Sequence, residues 1–173
     1  MRKIKTVHEH TAGQLQKKTE RLTARLLQGK EPDFLKQHAR TLDDYFREAF
    51  ESSMVGPRMD ISKNPYAIIA QGGYGREEQC IHSDVDLLFL FKKKVPAEAE
   101  GLIQEMVYPL WDIGLDVGYA TRSVKECFSL ASGEKHSFTD ARRTVYLRLV
   151  TDIFGAHGPG APEDYRQKIA HHY

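Results

Sequence analysis

The chain has 173 residues, 40% of them hydrophobic, and its 25 lysines and arginines nearly balance its 24 aspartates and glutamates. This length fits one globular domain, with or without a helical extension. The composition argues against a disordered chain, a collagen-like repeat and a basic surface that coats nucleic acid, so no nucleic-acid partner is expected.

No feature of the sequence predicts export or insertion into a membrane. No apolar stretch approaches the roughly 20 residues that a transmembrane helix needs. The basic N-terminus lacks the apolar segment that follows in a secretory signal. The two cysteines, Cys80 and Cys127, are therefore expected to be reduced thiols of a cytoplasmic protein.

Two amphipathic helices are predicted between residues 11 and 54. Apolar positions recur there every three or four residues, which is the spacing of one buried helix face. The first helix has this pattern at Leu15, Thr19, Leu22 and Leu26, and the second has it at Leu35, His38, Leu42, Tyr45 or Phe46, and Ala49. Gly29 and Pro32 separate the two helices, since glycine favours helix ends and proline favours helix starts.

Two strands and a helix are predicted next. Residues 67–70 and 85–91 are short apolar runs, and the second is apolar on both faces, as in a central strand. A helical stripe of Leu102, Met106 and Leu110 follows. Pro109 is expected to kink or end this helix because it lacks an N–H group. Tyr108 and Trp111 could stack on a nucleobase, but beside Leu110 they are predicted to be core residues.

The last predicted strand covers residues 115–122, with Leu115, Val117 and Tyr119 on one face and Asp116 on the other. Helices are predicted at 124–131, at 138–154 and from about Glu163. The elements together predict a mixed α/β (α+β) fold, in which a helical pair precedes a small β-sheet and further helices follow it.

The most informative pattern for chemistry begins after the first strand. Gly72 and Gly73 allow a sharp turn and a close approach of a ligand to the backbone. Exposed amides at such a turn favour phosphate oxygens, and Arg76 could add a charge-assisted contact. A tight turn without a ligand is the alternative. A helical turn is predicted from about Gly75 or Arg76, and the spacing matches neither a P-loop nor a dinucleotide fingerprint.

Two aspartates precede and enter the central strand. Asp84 and Asp86 are two residues apart, so their side chains share one face of the strand. The two carboxylates would repel each other unless a cation or a basic partner compensates. Mg²⁺ prefers a few carboxylates together with phosphate oxygens. The alternative is that both aspartates cap a loop locally beside Ser83.

Two stretches resemble a known family. GGYGR at 72–76 and SDVDLL at 83–88 resemble the signature of the DNA polymerase β-type nucleotidyltransferase superfamily, most closely the PII-protein uridylyltransferases. LWDIGLDVG at 110–118, with Arg122 and Glu126-Cys127 beyond it, is similar to a later segment of that group. Glu77-Glu78-Gln79 replaces the usual Gly-Glu-Leu and resembles domains linked to CBS or cyclic-nucleotide-binding modules. Tyr119 stands where histidine is usual.

The resemblance implies a small mixed sheet packed on helices and a set of site residues. By motif position, Asp84 and Asp86 would hold two Mg²⁺ ions. Gly72 and Gly73 would contact the nucleoside triphosphate, and Arg76 and Ser83 are further candidates for binding it. A third carboxylate often completes such sites as a base; Asp116 is the first candidate and Asp112 the second, and a solvated edge residue is the alternative for Asp116.

A domain division is predicted from the order of the elements, and the resemblance implies an activity. Residues 1–57 would be a helical extension, 58–133 the nucleotidyltransferase core, and 134–173 a C-terminal helical segment. The activity would transfer a nucleoside monophosphate from a nucleoside triphosphate to an acceptor hydroxyl, such as one on a regulatory protein. A non-catalytic nucleotide sensor or interaction module of a larger signalling protein is the alternative, and a small-molecule acceptor is less favoured. The helical pattern that stops at Tyr173 suggests a piece of a longer protein.

Overall fold

The fold combines helices with a small sheet, as the sequence predicts. A computed structural model of the protein describes residues 2–59 and 63–131. These residues form α1 (Arg2–Leu27), α2 (Phe34–Glu51), a 3-10 turn (Gly56–Arg58), β1 (Tyr66–Ala70), α3 (Gly72–Gly75), β2 (Val85–Phe91), α4 (Ala99–Asp112), β3 (Val117–Ser123) and α5 (Val124–Ala131). The helices predicted at 138–154 and from Glu163 lie outside the described residues, as does segment 134–173. The domain division stays a prediction.

The central strand of the sheet is β2, with β1 and β3 on either side. The N–H of Gln71 donates to the carbonyl of Asp86 at 2.8 Å, and the N–H of Lys92 donates to the carbonyl of Pro65 at 2.8 Å. Residue numbers thus fall along one strand as they rise along the other, so β1 and β2 are antiparallel. Every residue of β2 except Asp86 is buried, which confirms the predicted central strand.

The third strand, β3, runs parallel to β2. The N–H of Val85 donates to the carbonyl of Asp116 at 2.8 Å, where both strands begin. An antiparallel pairing from that bond would leave the two strands without overlap. A parallel pair needs a crossover connection, and α4 lies in it. The sheet is therefore mixed, as the resemblance implies.

The described residues divide into two compact units, one of residues 2–59, 70–87 and 96–119 and the other of residues 63–69, 88–95 and 120–131. In the first unit, α1, α2 and α4 contact one another. The hydroxyl of Tyr45 in α2 donates to the carbonyl of Met106 in α4 at 2.8 Å, which joins these two helices through the core.

The second unit has a small apolar core of its own. This core consists of Ala67, Ile69, Leu88, Leu90 and Cys127, with Ala120 and Val124 packed against it. Helix α5 begins with a capping box: the N–H of Ser123 donates to Oε2 of Glu126 at 2.7 Å, and the N–H of Glu126 donates to Oγ of Ser123 at 3.2 Å. Both cysteines of the chain are free thiols, and burial raises the pKa of Cys127 to about 11.

Several expectations about helix faces and ends are wrong in detail. Leu26 and Leu35 are 38% and 39% exposed, because a periodic pattern shows which face of a helix is apolar but not how far a neighbour covers it. Tyr108 and Trp111 are 41% and 43% exposed rather than core.

The expectation that Pro109 ends helix α4 is also wrong, because the helix continues to Asp112; the alternative expectation of a kink stays a prediction. The fully buried Met106 and Leu110 lie on either side of this proline, so packing outweighs the single lost hydrogen bond. Within the described ranges, no helix combines the length and the apolar character that crossing a bilayer requires.

Candidate functional site

The glycine turn at the end of β1 is a single helical turn, α3, that begins at Gly72 rather than near Gly75 or Arg76. Gly72 has a positive φ of 56°, a region that other residues rarely adopt. A Cβ atom at Gly75 would lie 2.6 Å from the carbonyl oxygen of Ala70, closer than real Cβ atoms approach. The tight geometry therefore requires glycine at both positions.

The carboxylate of Asp86 lies between Gly72, at the start of α3, and Gly118, near the start of β3. A Cβ atom on Gly72 would lie 2.6 Å from Oδ2 of Asp86, and one on Gly118 would lie 3.2 Å from Oδ1. We call this arrangement of Gly72, Asp86 and Gly118 the glycine slot. Asp86 is the one exposed residue of β2. The glycine turn that is predicted to bind phosphate and the carboxylate that is predicted to bind a metal ion are thus adjacent in the structure.

The pairing of β2 with β3 relates the other two aspartates. In a parallel pair, the bond from Val85 to the carbonyl of Asp116 sets Val85 between Asp116 and Gly118. Asp84 is then level with Asp116, on the same face of the sheet as Asp86. All three aspartates are exposed. Within the described residues, no three His, Cys, Asp or Glu side chains form a ready metal cluster, so the role of Asp116 stays a prediction.

The remaining candidates, Arg76, Ser83 and Asp112, lie at or near the surface. Nε of Arg76 forms an ion pair with Oε2 of Glu78 at 2.7 Å, and both side chains are about 60% exposed. Such an exposed pair contributes little stability, so the guanidinium can exchange it for another anion. Ser83 is exposed, and its hydroxyl has no hydrogen bond to any described residue. Asp112, the second candidate for the third carboxylate, is exposed at the end of α4.

A partly buried hydrogen bond that no motif in the sequence indicates holds the glycine turn. The hydroxyl of Tyr74 donates to Oδ1 of Asp43 in α2 at 2.7 Å, and Tyr74 is only 4% exposed. Burial raises the pKa of the Asp43 carboxyl, and the bond from Tyr74 opposes that rise. Burial also raises the pKa of Tyr74 well above 10. The two residues are 31 apart in sequence, so no local spacing could indicate their contact.

A second missed feature is the buried pair of Gln79 and His38, which are 1% and 2% exposed. The side-chain amide of Gln79 donates to the carbonyls of Ser83 and Asp84, the residues that open β2. The only signal in the sequence was the departure at 77–79 from the family's usual Gly-Glu-Leu.

The aspartates offer a donor set that fits a magnesium ion. The carboxylates of Asp84 and Asp86 make no hydrogen bond or ion pair with any residue that the structure describes. Mg²⁺ takes oxygen ligands, usually one or two carboxylates with phosphate oxygens and water. Two exposed, unpaired carboxylates beside an open glycine turn match that preference.

A small mixed sheet whose central strand presents carboxylates against a glycine turn defines a nucleotidyltransferase-type domain. Comparison with known families agrees: residues 9–123 match the family described as "Putative nucleotidyltransferase DUF294". The match covers well over half of the chain, and the chain belongs to this family. The resemblance noted in the sequence is thereby confirmed.

The chain is also similar to parts of proteins named bifunctional uridylyltransferase/uridylyl-removing enzyme. It is 39% identical over 114 residues to the one from Rhodospirillum rubrum and 53% identical over 64 residues to the one from Cereibacter sphaeroides. These alignments cover 64% and 37% of this chain but only 12% and 7% of the relatives, so the chain spans a small part of their length. No solved structure matches the chain.

Proposed function

We propose that this domain is a Mg²⁺-dependent nucleotidyltransferase that moves a nucleoside monophosphate from a nucleoside triphosphate to an acceptor hydroxyl. The observation that carries the proposal is the glycine slot, in which Gly72 leaves just enough room for the Asp86 carboxylate. Backbone that suits phosphate and carboxylates that suit a metal ion are thus adjacent, which nucleotidyl transfer requires. The resemblance of the sequence motifs to those of PII-protein uridylyltransferases favours a hydroxyl on a regulatory protein as the acceptor.

Each candidate residue has a distinct task in this proposal. Asp84 and Asp86 would hold Mg²⁺, which would neutralise charge on the phosphate oxygens when bound. The backbone amides of Gly72 and Gly73, which donate no hydrogen bond to a described residue, would bind the triphosphate. Arg76 would exchange its ion pair with Glu78 for a phosphate oxygen. The exposed Ser83 hydroxyl would donate to the same triphosphate.

The proposed reaction needs one base, which takes up the proton of the acceptor hydroxyl. The acceptor oxygen forms a bond to the α-phosphorus, the bond from that phosphorus to the bridging oxygen breaks, and pyrophosphate leaves. The proton of the acceptor hydroxyl would pass to the carboxylate of Asp116. The strand register supports Asp116 over Asp112, because Asp116 is level with Asp84 on the same face whereas Asp112 ends a helix.

Calorimetric titration tests the metal–nucleotide site. Each of the four common nucleoside triphosphates would be titrated with Mg²⁺ into wild type and into an Asp84→Asn/Asp86→Asn double variant. We expect binding to wild type and loss in the double variant. A folded wild type that binds none of them at millimolar concentration would overturn the proposal.

Turnover tests the base and separates catalysis from sensing. With an acceptor present, Asp116→Asn should abolish pyrophosphate release while leaving nucleotide binding intact, and Asp112→Asn serves as the matched control that keeps turnover. Turnover by the Asp116→Asn protein equal to that of wild type would show that Asp116 is not the base. Nucleotide binding without pyrophosphate release, across plausible acceptors, would instead indicate a non-catalytic sensor.

A further inference from the structure

Gln79 is a polar residue in an almost completely buried place beside the glycine turn. Its side chain is 1% exposed, although glutamine is usually found at the surface. Burying an amide is unfavourable unless its hydrogen bonds are made. The contacts of Gln79 therefore indicate what the burial achieves.

The amide nitrogen of Gln79 holds the backbone that carries the first aspartate. Nε2 donates to the carbonyl oxygen of Ser83 at 2.7 Å and to that of Asp84 at 3.2 Å. One side chain thus binds two successive carbonyls immediately before β2 begins. These bonds restrict the peptide plane from which the Asp84 side chain projects.

The amide oxygen of Gln79 faces the glycine turn instead. Oε1 is buried and has no hydrogen-bond partner among the described residues, and it lies 3.7 Å from the place where a Cβ atom of Gly73 would stand. The same turn folds back on itself, since the N–H of Glu78 donates to the carbonyl of Gly73 at 2.8 Å. Gln79 therefore fills the space between the turn and the start of β2.

Helix α2 fixes the backbone of Gln79 from the other side. Nδ1 of His38 lies 3.2 Å from the carbonyl oxygen of Gln79. A carbonyl can only accept, so Nδ1 carries the proton and donates. His38 is itself 2% exposed. The residue is thus held at its backbone by α2 while its side chain holds the residues around Asp84.

We propose that Gln79 is a positioning residue that sets the place of the Asp84 carboxylate relative to the glycine turn, an inference that rests on the proposed function. Gln79 is buried, and it acts through the carbonyls of Ser83 and Asp84. A leucine would fill a similar volume but could donate to neither carbonyl. Outer hydrogen bonds of this kind commonly change metal affinity by about 10- to 100-fold when they are removed.

The test measures Mn²⁺ bound to the full chain by water-proton relaxation, in a mixture of the four common nucleoside triphosphates. Gln79→Leu should weaken Mn²⁺ binding by about tenfold or more. Gln104→Leu is the matched control, because Gln104 is exposed and, among the described residues, its side chain bonds to Glu100 on its own helix alone. It should bind as wild type does.

A second substitution separates positioning from simple loss of packing. Gln79→Glu keeps the shape, but an ionised carboxylate cannot donate to a carbonyl. We expect Gln79→Glu to bind Mn²⁺ weakly at about pH 8. Its affinity should approach that of wild type at about pH 6, where a buried carboxyl regains its proton. Circular dichroism at both pH values checks that the variants are folded. If Gln79→Leu does not fold, the Gln79→Glu comparison alone decides.

The outcomes distinguish this inference from the proposed function. Loss of Mn²⁺ in Asp84→Asn/Asp86→Asn together with wild-type binding by a folded Gln79→Leu protein would overturn the positioning role alone. Wild-type binding by the double aspartate variant, or no binding by wild type, would overturn the proposed function and this inference with it. An unchanged affinity of Gln79→Glu across pH would also count against the positioning role.

Discussion

Substituting Gly72 by alanine adds one methyl group to the glycine slot. The new Cβ atom would lie 2.6 Å from Oδ2 of Asp86, whereas real Cβ atoms keep at least 3.0 Å. The carboxylate must therefore retreat by at least about 0.4 Å. Alanine must also adopt the positive φ of 56° that glycine takes there.

The two effects have different magnitudes. A left-handed backbone costs a non-glycine residue about 1–2 kcal/mol. Asp86 is exposed and can rotate, so the clash adds only the cost of an off-rotamer side chain, about 0.5–1.5 kcal/mol. The effect on ligand binding should be larger, because a displaced carboxylate no longer meets the metal. We expect Mg²⁺–nucleotide binding to weaken by about tenfold or more, which is at least about 1.4 kcal/mol.

Gly114 provides a matched control for backbone strain. It has a positive φ of 84°, and a Cβ atom there would meet no atom of the described part of the chain within 4 Å. Gly114→Ala should therefore lose only about 1–2 kcal/mol of stability and should keep its nucleotide affinity. Urea unfolding and calorimetric titration of both variants compare the two quantities directly.

A double-mutant cycle isolates the contact without any ligand. Adding Asp86→Ala removes the oxygen that the new methyl group meets. In that background Gly72→Ala should therefore lower the unfolding free energy by less, and the difference is the cost of the clash. Equal unfolding free energies and equal nucleotide affinities for Gly72→Ala and Gly114→Ala would refute the reasoning about the glycine slot.

Three further predictions concern stability. Gly75→Ala should destabilise the fold by about 2–3 kcal/mol in urea unfolding, because its Cβ meets the backbone oxygen of Ala70, and a loss no larger than that of Gly114→Ala would contradict this. Ser123→Ala removes the cap of α5 and should cost about 1 kcal/mol; no loss on chemical unfolding would argue against the capping box. Burial lowers the pKa of His8 and His38 below 6.5, so the unfolded chain binds protons that the folded chain does not. Unfolding free energy should thus fall as pH drops below about 6.5, by at most about 1.4 kcal/mol per pH unit for each histidine, and a flat profile would contradict this.

The features that depend on neighbouring residues were predictable from the sequence. The spacing of apolar residues predicts the central strand and the helices, because side-chain direction repeats every two residues in a strand and about every 3.6 in a helix. The glycines of the turn and the D-x-D pattern were also recognisable, because each motif lies within a few consecutive residues.

The features that depend on distant contacts were not predictable. Tyr74 meets Asp43, and His38 meets Gln79, across 31 and 41 residues of sequence. Their partners follow from how α2 packs, which no local pattern specifies. The exposure of Trp111 fails for a related reason: an apolar residue on a helix is buried only where another element covers it.

The glycine slot also has a consequence for the order of folding. Its three members come from α3, which follows β1, from β2 and from β3, and β3 joins the sheet only after the chain passes through α4. A β1–β2 hairpin alone would contain one wall of the slot and lack the other. Closing this non-local connection is slow relative to forming the hairpin. A nucleotide that needs the whole slot would therefore bind only chains whose sheet is complete. Its binding would shift the folding equilibrium toward the complete sheet by mass action.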